Sequence, residues 1–348
     1  MGGRFRTTVA AVRQAGPTGS FIPRGRPFSR VYLLEFVGDD DAFAAREAES
    51  RASAVDPIAA GFATARGIEH PETLAYTRRV CRLVGTCEPA IEAAVALVDA
   101  ATIDRTGTVA VRARDVRGLS GVDTRKAERR LGAVLVDRGF DVDLERPDHT
   151  LVALFSDDLA AFGWLTCETV RDFSTRRPTD KPFFQPGSMA PMDARAIANV
   201  AGAAPGARLL DPMCGTGGIL VEAGLAGATA VGVDAQAKMA RGTRRNLREY
   251  LDDGSVVRGD ATRLPFADGA FDGVAFDAPY GRQSKIEGES LEELVGDALG
   301  EIRRLAPRAV LVGDRSWVSA AESAGWEVTD RFQRRVHASL VRHVHVLE

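Results

Sequence analysis

The residues of this 348-residue chain whose types and spacing suit chemistry cluster where apolar runs end. Ala207-Arg208-Leu209-Leu210-Asp211-Pro212-Met213-Cys214-Gly215-Thr216-Gly217-Gly218-Ile219-Leu220 reads as a strand, a glycine-rich turn and a helix. Small residues in such a turn let a ligand approach the backbone, and the helix start offers unpaired N–H groups to a negative group. A turn of this kind alone also serves dinucleotide enzymes, so the following strand ends matter. Ala230-Val231-Gly232-Val233-Asp234 ends in a carboxylate about 20 residues on, where it can hydrogen-bond a ribose diol. A third strand, Ser255–Arg258, runs into Gly259-Asp260-Ala261. A fourth, Phe271–Phe276, runs into Asp277-Ala278-Pro279-Tyr280-Gly281. Each carboxylate by itself is also an ordinary strand-end cap; the ordered set is what carries the argument.

In this order the four strand ends resemble the class I S-adenosylmethionine-dependent methyltransferases. That resemblance implies a Rossmann-like domain in which Asp211 and Gly215, Thr216 and Gly217, with Cys214 in the same loop, hold the methionine part of the cofactor. It also implies that Asp234 takes the ribose hydroxyls and Asp260 the adenine amino group. Asp277-Ala278-Pro279-Tyr280 is similar to the [Asp/Asn]-Pro-Pro-[Tyr/Phe] motif of amino methyltransferases, with Ala278 in place of the first proline. An exocyclic amine on a base is a weak nucleophile because its lone pair is delocalised into the ring. A carboxylate (Asp277) and a backbone carbonyl (Pro279) accepting its two hydrogens would aim the lone pair, and Tyr280 would stack on a flipped base. The motif does not separate guanine N2 from adenine N6, nor RNA from DNA.

The whole pattern, together with Pro182-Phe183-Phe184-Gln185-Pro186-Gly187-Ser188-Met189, resembles the archaeal tRNA (guanine-N2) methyltransferases that modify position 10. In that family this segment covers the cofactor site, which makes Phe184 a cofactor-binding candidate. The resemblance extends over nearly all of residues 31–348 and implies an N-terminal ferredoxin-like element with a THUMP domain. It also implies tRNA as partner, with a small zinc-binding activator protein as a candidate second partner. Two other readings stay open: another RNA or DNA amino methyltransferase (ribosomal guanine N2 or adenine N6), and a non-catalytic RNA-binding protein with a residual cofactor pocket.

The elements that must position these groups divide the chain. Residues 1–30 carry six Arg and no acid, with too little apolar surface for a core, and read as a basic tail preceding an ordered start at Val31. Residues 31–164 read as a small α+β region. Within it, helices are expected over Asp41–Ala54 and Glu88–Ala101, with a third from an Asp123 cap to Asp137. Asp141–Leu144 and Thr150–Phe155 read as two strands joined by a Pro147-Asp148 turn. Residues 165–190, rich in Pro, Arg and Phe, read as a linker. From residue 191 helix and strand signals alternate, as in a parallel sheet wrapped by helices, and Trp326–Leu347 reads as a closing hairpin.

The net charge is -3, with 45 Lys and Arg against 48 Asp and Glu, so any nucleic-acid surface must be local. One such surface lies between residues 108 and 130, where seven cations face three acids. Arg112, Arg114, Arg117, Arg125 and Arg129, with Arg176 and Arg177 of the linker, are the RNA-binding candidates, because guanidinium forks suit phosphate. Residues 191–348 have 19 cations and 22 acids, so the basic surface lies off the catalytic part. Four cysteines without a CxxC pair suggest neither a disulfide framework nor a zinc site, and no metal is expected. His343 and His345 share one face of a strand without a third ligand. No apolar run approaches the roughly 18 residues of a membrane span. A cytoplasmic monomer is the expectation.

Overall fold

The computed structural model describes residues 31–280, 291–337 and 340–348. The basic tail, Gly281 and the Ala338-Ser339 hairpin tip lie outside the described residues. Two sheets make the framework.

The first holds β1 (Val31–Phe36), β2 (Ser53–Ala59), β3 (Phe62–Arg66), β4 (Thr77–Cys87), β5 (Thr108–Asp115), β6 (Asp141–Val142), β7 (His149–Phe155) and β8 (Ala160–Glu168). Their order is β2-β3-β1-β4-β8-β7-β5-β6, one continuous sheet of eight strands. Helix α1 (Asp41–Ala48) follows β1, while α2 (Ile91–Ala100) and α3 (Thr124–Asp137) lie in the second half. Asp123 caps α3 by accepting from the Lys126 N–H at 3.0 Å, and Ala127, Leu131 and Leu135 form its buried stripe. α1 is shorter than the sequence pattern suggests, because the chain turns at Arg51 and re-enters the sheet at Ser53.

The expected hairpin over Asp141–Phe155 does not form. β6 and β7 each run parallel to β5, on its opposite sides. The connection passes beneath the start of β5, where the Asp148 carboxylate accepts from the Thr108 N–H at 2.8 Å and its hydroxyl at 2.9 Å. That clamp carries the chain from one side of β5 to the other, which a two-residue turn cannot do.

The second sheet holds β9 (Arg208–Asp211), β10 (Thr229–Asp234), β11 (Ser255–Arg258), β12 (Gly273–Asp277), β13 (Ala309–Gly313), β14 (Val328–His337) and β15 (Leu340–Leu347). The order is β11-β10-β9-β12-β13-β15-β14. The first five are parallel, and β15 and β14 are added antiparallel, the expected closing hairpin. Helices α4 (Pro191–Val200), α5 (Gly218–Leu225), α6 (Ala237–Tyr250), α7 (Leu291–Arg303) and α8 (Val318–Ser323) cover its faces. All five residues of β13 are buried, as in a strand covered on both faces. The strand order reverses between β9 and β12, and ligands of open α/β sheets bind beyond the carboxyl ends at such a point. Asp211, Asp234 and Asp277 are the last residues of three neighbouring strands there.

The segment expected as a linker is anchored at Arg176, Lys181 and Met189, which are 4%, 7% and 5% exposed, while most of its other residues are exposed. The two sheets are joined by a buried polar network. The Glu47 carboxylate of α1 accepts from the N–H groups of Ala75 and Tyr76 and from the Asn199 amide of α4, all within 2.7 Å. Arg51 donates to the Asn199 side-chain oxygen at 2.9 Å, and Arg46 pairs with Asp330 of β14 at 2.9 Å. Among the described residues no helix is long and apolar enough to cross a membrane.

Candidate functional site

A cavity of about 200 Å³ opens beyond the ends of β9 and β12. Its floor is Asp211, Met213, Cys214, Gly215 and Thr216; Gly218 and Ile219 of α5, Met239 of α6 and Asp277 form its sides; residues 185–189 form its roof. The glycine turn needs its glycines. Gly217 has φ +75°, and a Cβ there would lie 2.5 Å from the Thr243 methyl of α6.

Of the cofactor candidates, Asp211, Cys214, Gly215 and Thr216 line the cavity. Asp234 buttresses it: its carboxylate accepts from Gly215 N–H at 3.0 Å and Gln236 N–H at 2.8 Å. Asp260 lies at the end of β11, exposed, accepting from the Thr262 N–H and hydroxyl, both at 2.9 Å. Phe184 immediately precedes the roof residues 185–189. Its residue is 39% exposed and does not line the cavity. Its neighbour Phe183 packs instead, against Gly242 of α6.

Phe183 is held by a residue the sequence did not single out. Asn246, fully buried on α6, accepts from the Phe183 N–H and donates to the Phe183 and Thr216 carbonyls, each at 2.8 Å. One side chain therefore staples the roof segment to the glycine turn. Ser188 and Thr216 hydroxyls add a bond of 3.1 Å, and Thr243 donates to the Gly215 carbonyl at 2.6 Å. The signal was present but inconspicuous: Gly242, Thr243 and Asn246 are the small and polar positions between the arginines of α6.

The electrostatics are dominated by burial. Asp211 is 2% exposed, and burial, together with the nearby Asp234 and Asp277 charges, holds its carboxyl well above the usual range against one bond from Met213 N–H at 3.1 Å. Burial also raises Asp234. Burial raises Asp277 to about 6, against the opposing pull of Arg342 and Tyr280. The Cys214 thiol is pushed up by burial and neighbouring acids, so it stays a neutral thiol.

Asp277 and Tyr280 are in direct contact. The Tyr280 hydroxyl donates to Asp277 Oδ1 at 2.7 Å and accepts from Arg342 Nε at 3.0 Å. Arg342 of β15, 3% exposed, also donates to the Gly187 carbonyl at 2.7 Å. Sequence reasoning missed it, although it is the one Lys or Arg in the run Leu340–Leu347. His345 beside it is a core residue, its ring nitrogens meeting Trp317 N–H at 3.1 Å and the Leu311 carbonyl at 3.2 Å.

The RNA-binding candidates separate into two sets. Arg125 and Arg129 of α3 are exposed and, among the described residues, make no ion pair. With Arg112 they edge a groove of about 620 Å³ whose floor includes the exposed Val136, Val142 and Leu144. Arg177 is exposed. Arg112 donates to the Leu144 carbonyl at 2.6 Å, and Arg114 pairs with the buried Glu35 at 3.0 Å. Arg117 pairs with Asp41 at 2.5 Å and also donates to the Gly38 carbonyl. Arg176 is a correction. It is 4% exposed and bound to Glu222 at 2.9 Å and Asp172 at 2.8 Å, so its fork serves the fold and is closed to phosphate.

Comparison with known proteins agrees with this geometry. A family model described as "RMKL-like, methyltransferase domain" matches residues 178–343. The chain is 38% identical over 288 residues to a tRNA (guanine(10)-N2)-dimethyltransferase of Methanothermobacter thermautotrophicus, covering 79% of this chain and 83% of that protein. It is 31% identical over 249 residues to the protein of the same name in Pyrococcus abyssi, covering 70% and 74% respectively. Among solved structures, TrmN from Thermus thermophilus aligns over 91% of this chain and 99% of its own, at TM-score 0.48 and 23% identity.

Proposed function

The chain belongs to the family of tRNA (guanine(10)-N2)-dimethyltransferases, and from that premise we propose that it methylates the exocyclic N2 amine of guanine 10 in tRNA, once and then again. It is an S-adenosylmethionine-dependent methyltransferase. The observation that carries the proposal is the placement of Asp277, an amine-hydrogen acceptor, in the wall of the cavity formed by the glycine turn.

The cavity suits the cofactor by charge as well as shape. Asp211, Asp234 and Asp277 crowd it with acid, and Asp211 makes no ion pair among the described residues. A ligand bringing an ammonium and a sulfonium supplies the missing positive charge. Met213, Ile219 and Met239 give it apolar walls. Asp211 and the turn Cys214–Gly217 would hold the methionine part, Asp234 the ribose hydroxyls and Asp260 the adenine. When bound, the cofactor supplies an electrophilic methyl on its sulfonium.

In this reading Asp277 and the Pro279 carbonyl accept the two amine hydrogens, and the Tyr280 ring is the platform for the flipped guanine. When the amine gains a methyl group, the proton it gives up would pass to Asp277 and then to water. A carboxylate near 6 is well matched to that task at neutral pH. Residues 31–164 would grip the tRNA, with Arg112, Arg125 and Arg129 along the α3 groove and Arg177 at the junction. Residues 165–190 would connect that region to the catalytic domain, 191–348.

The test is Asp277→Ala assayed on tRNA lacking the modification, with nucleoside mass spectrometry. Cofactor binding should persist while turnover falls by about 10²-fold or more. Unchanged turnover would remove Asp277 from the mechanism, and methylated adenosine as the wild-type product would overturn the substrate.

A further inference from the structure

Three segments distant in sequence meet at one guanidinium. Arg342 reaches from β15, in the hairpin that closes the second sheet, to the catalytic loop and to the roof of the cofactor cavity. Its Nη2 donates to the Gly187 carbonyl at 2.7 Å and its Nε to the Tyr280 hydroxyl at 3.0 Å. Its Nε also stands 3.6 Å from Asp277 Oδ2, a separation at which attraction is Coulombic and no hydrogen bond forms. The hydrogen-bonded path to Asp277 runs through the tyrosine, which accepts from Arg342 and donates to Asp277 Oδ1 at 2.7 Å.

The charges around this pair favour a role beyond packing. Asp277 faces Asp211 from the end of β9 and Asp314 from the loop after β13, both acidic side chains. Within its own loop it faces the Tyr280 hydroxyl. Among the described residues Arg342 is the cation opposing these acids. Arg342 itself lies across the strand pair from Arg334 of β14, and Asp193 of α4 neighbours both. Arg334 in turn pairs with Asp40 at 3.1 Å, so its charge is already engaged. Burying an arginine with so few partners is costly for a structural purpose alone, since an apolar residue of similar volume often serves as well.

We propose that Arg342 is a positioning residue for methyl transfer, tying roof, catalytic loop and hairpin together so that the amine meets a charged Asp277 at a fixed place beside the cofactor. This rests on the reading of Asp277 given above. Without the guanidinium, only the Tyr280 hydroxyl would offset burial and the neighbouring acids, and Asp277 would hold its proton to higher pH. The Tyr280 hydroxyl would lose the Arg342 donor that helps orient it.

The experiment compares Arg342→Gln and Arg342→Lys with the wild-type chain and with Asp277→Ala. Cofactor affinity is measured by calorimetry and single-turnover methylation of tRNA across pH 5–9. Arg342→Gln should bind S-adenosylmethionine within about threefold of wild type, lose roughly tenfold or more in rate, and move the acid limb up by about one pH unit. Arg342→Lys keeps the charge and loses the fork, so its limb should stay in place while the rate drops about fivefold. A limb unmoved in Arg342→Gln reduces Arg342 to a structural role and overturns the proposal. If Arg342→Gln does not fold, wild-type rate in Arg342→Lys overturns it and the slowed rate with an unmoved limb supports it. Full activity in Asp277→Ala would instead refute the underlying reading, a result distinct from either Arg342 outcome.

Discussion

Gly242→Ala tests whether the roof of the cavity is held by the contact between α6 and Phe183. A Cβ at position 242 would lie 2.1, 2.3 and 2.4 Å from Phe183 Cδ1, Cε1 and Cγ. To restore an ordinary contact the ring must retreat by more than about 1 Å. It is not free to do so, because Asn246, one helical turn on, grips both the N–H and the carbonyl of Phe183 at 2.8 Å. Overpacking costs about 1–3 kcal/mol, and each buried hydrogen bond lost costs about 1–3 kcal/mol more. The helix-propensity gain of alanine over glycine, about 1 kcal/mol, offsets only part of this. The expected outcome is a net loss of about 1–3 kcal/mol in stability and a tenfold or greater loss in cofactor affinity, since residues 185–189 are the cavity roof. Thermal denaturation with and without S-adenosylmethionine, and calorimetric affinity, measure both. Gly296→Ala on α7, where a Cβ meets nothing within 4 Å, is the control and should be neutral or stabilising. A Gly242→Ala protein that binds the cofactor within twofold of wild type and melts no lower would refute the reasoning.

Tyr280→Phe keeps the ring and removes the hydroxyl that bridges Arg342 and Asp277, so it should lose about tenfold in turnover, and Tyr280→Ala, which also removes the stacking platform, roughly tenfold more; equal losses would deny the ring a role. Turnover should decline as pH falls through about 6, because the working form of Asp277 is the carboxylate; a rate flat from pH 7 to 5 would exclude that form. The same shift has a stability consequence of opposite sense. A folded-state pKa raised above the unfolded value means that the folded chain binds the proton more tightly, so this group's charge destabilises the fold at neutral pH and that penalty fades below about 6. Asp277→Asn should therefore raise the melting temperature at pH 7.5, and a lowered one would contradict the sign. Arg125→Glu with Arg129→Glu should raise KM for tRNA at least about tenfold and flatten its salt dependence by roughly two charges, with stability unchanged. Arg176→Gln should do the reverse, costing about 1–3 kcal/mol of stability, because Arg195 still pairs with the buried Glu222 at 2.9 Å, while leaving tRNA affinity intact in the folded fraction.

What the sequence made legible was local. Each parallel strand of the second sheet is a short apolar run, and its end is marked by the residue that turns polar at the sheet's rim. Asp211, Asp234 and Asp277 could therefore be picked out, and their convergence followed from the topology. The Asp123 cap and the Ala127, Leu131, Leu135 stripe of α3 were equally readable, since caps and periodicity are properties of neighbours. The direction of β7 was not. A strand followed by Pro-Asp and another strand looks like a hairpin, and only the pairing of Asp148 with Thr108, 40 residues away, reveals the crossing. Arg342 and Asn246 escaped for the same reason: each works through partners at least 30 residues distant, and nothing in the spacing of either announces them. Arg176 shows the converse failure. An arginine in a Pro-rich, Arg-rich stretch looks exposed, and its burial is decided by Glu222 of α5, which the local sequence does not disclose.

The polar joint between the two sheets bears on how a target guanine would be chosen. If the first sheet grips tRNA at a place remote from the target, the distance between grip and catalytic loop must be fixed, or the choice of base is lost. A flexible tether would not fix it. Here Glu47, Arg51 and Asn199 are buried and mutually bonded, and Tyr76 of the first region donates to Asp193 of α4 at 2.5 Å. Arg334 of β14 lies over the rings of both Phe43 and Tyr76 at 4.7 Å and pairs with Asp40. Opening a hinge at this joint would leave several of these groups buried and unpaired, each at about 1–3 kcal/mol, more for the charged ones. That sum is a large part of a domain's whole stability, so the joint should stay closed through the catalytic cycle. Asp193 is the neighbour common to the joint and to Arg342, so the element that fixes the distance also borders the residue that sets Asp277. Rigidity of the joint and orientation of the Asp277 carboxylate are then two consequences of one packed cluster, and loosening either should blur the choice of guanine as well as slow its methylation.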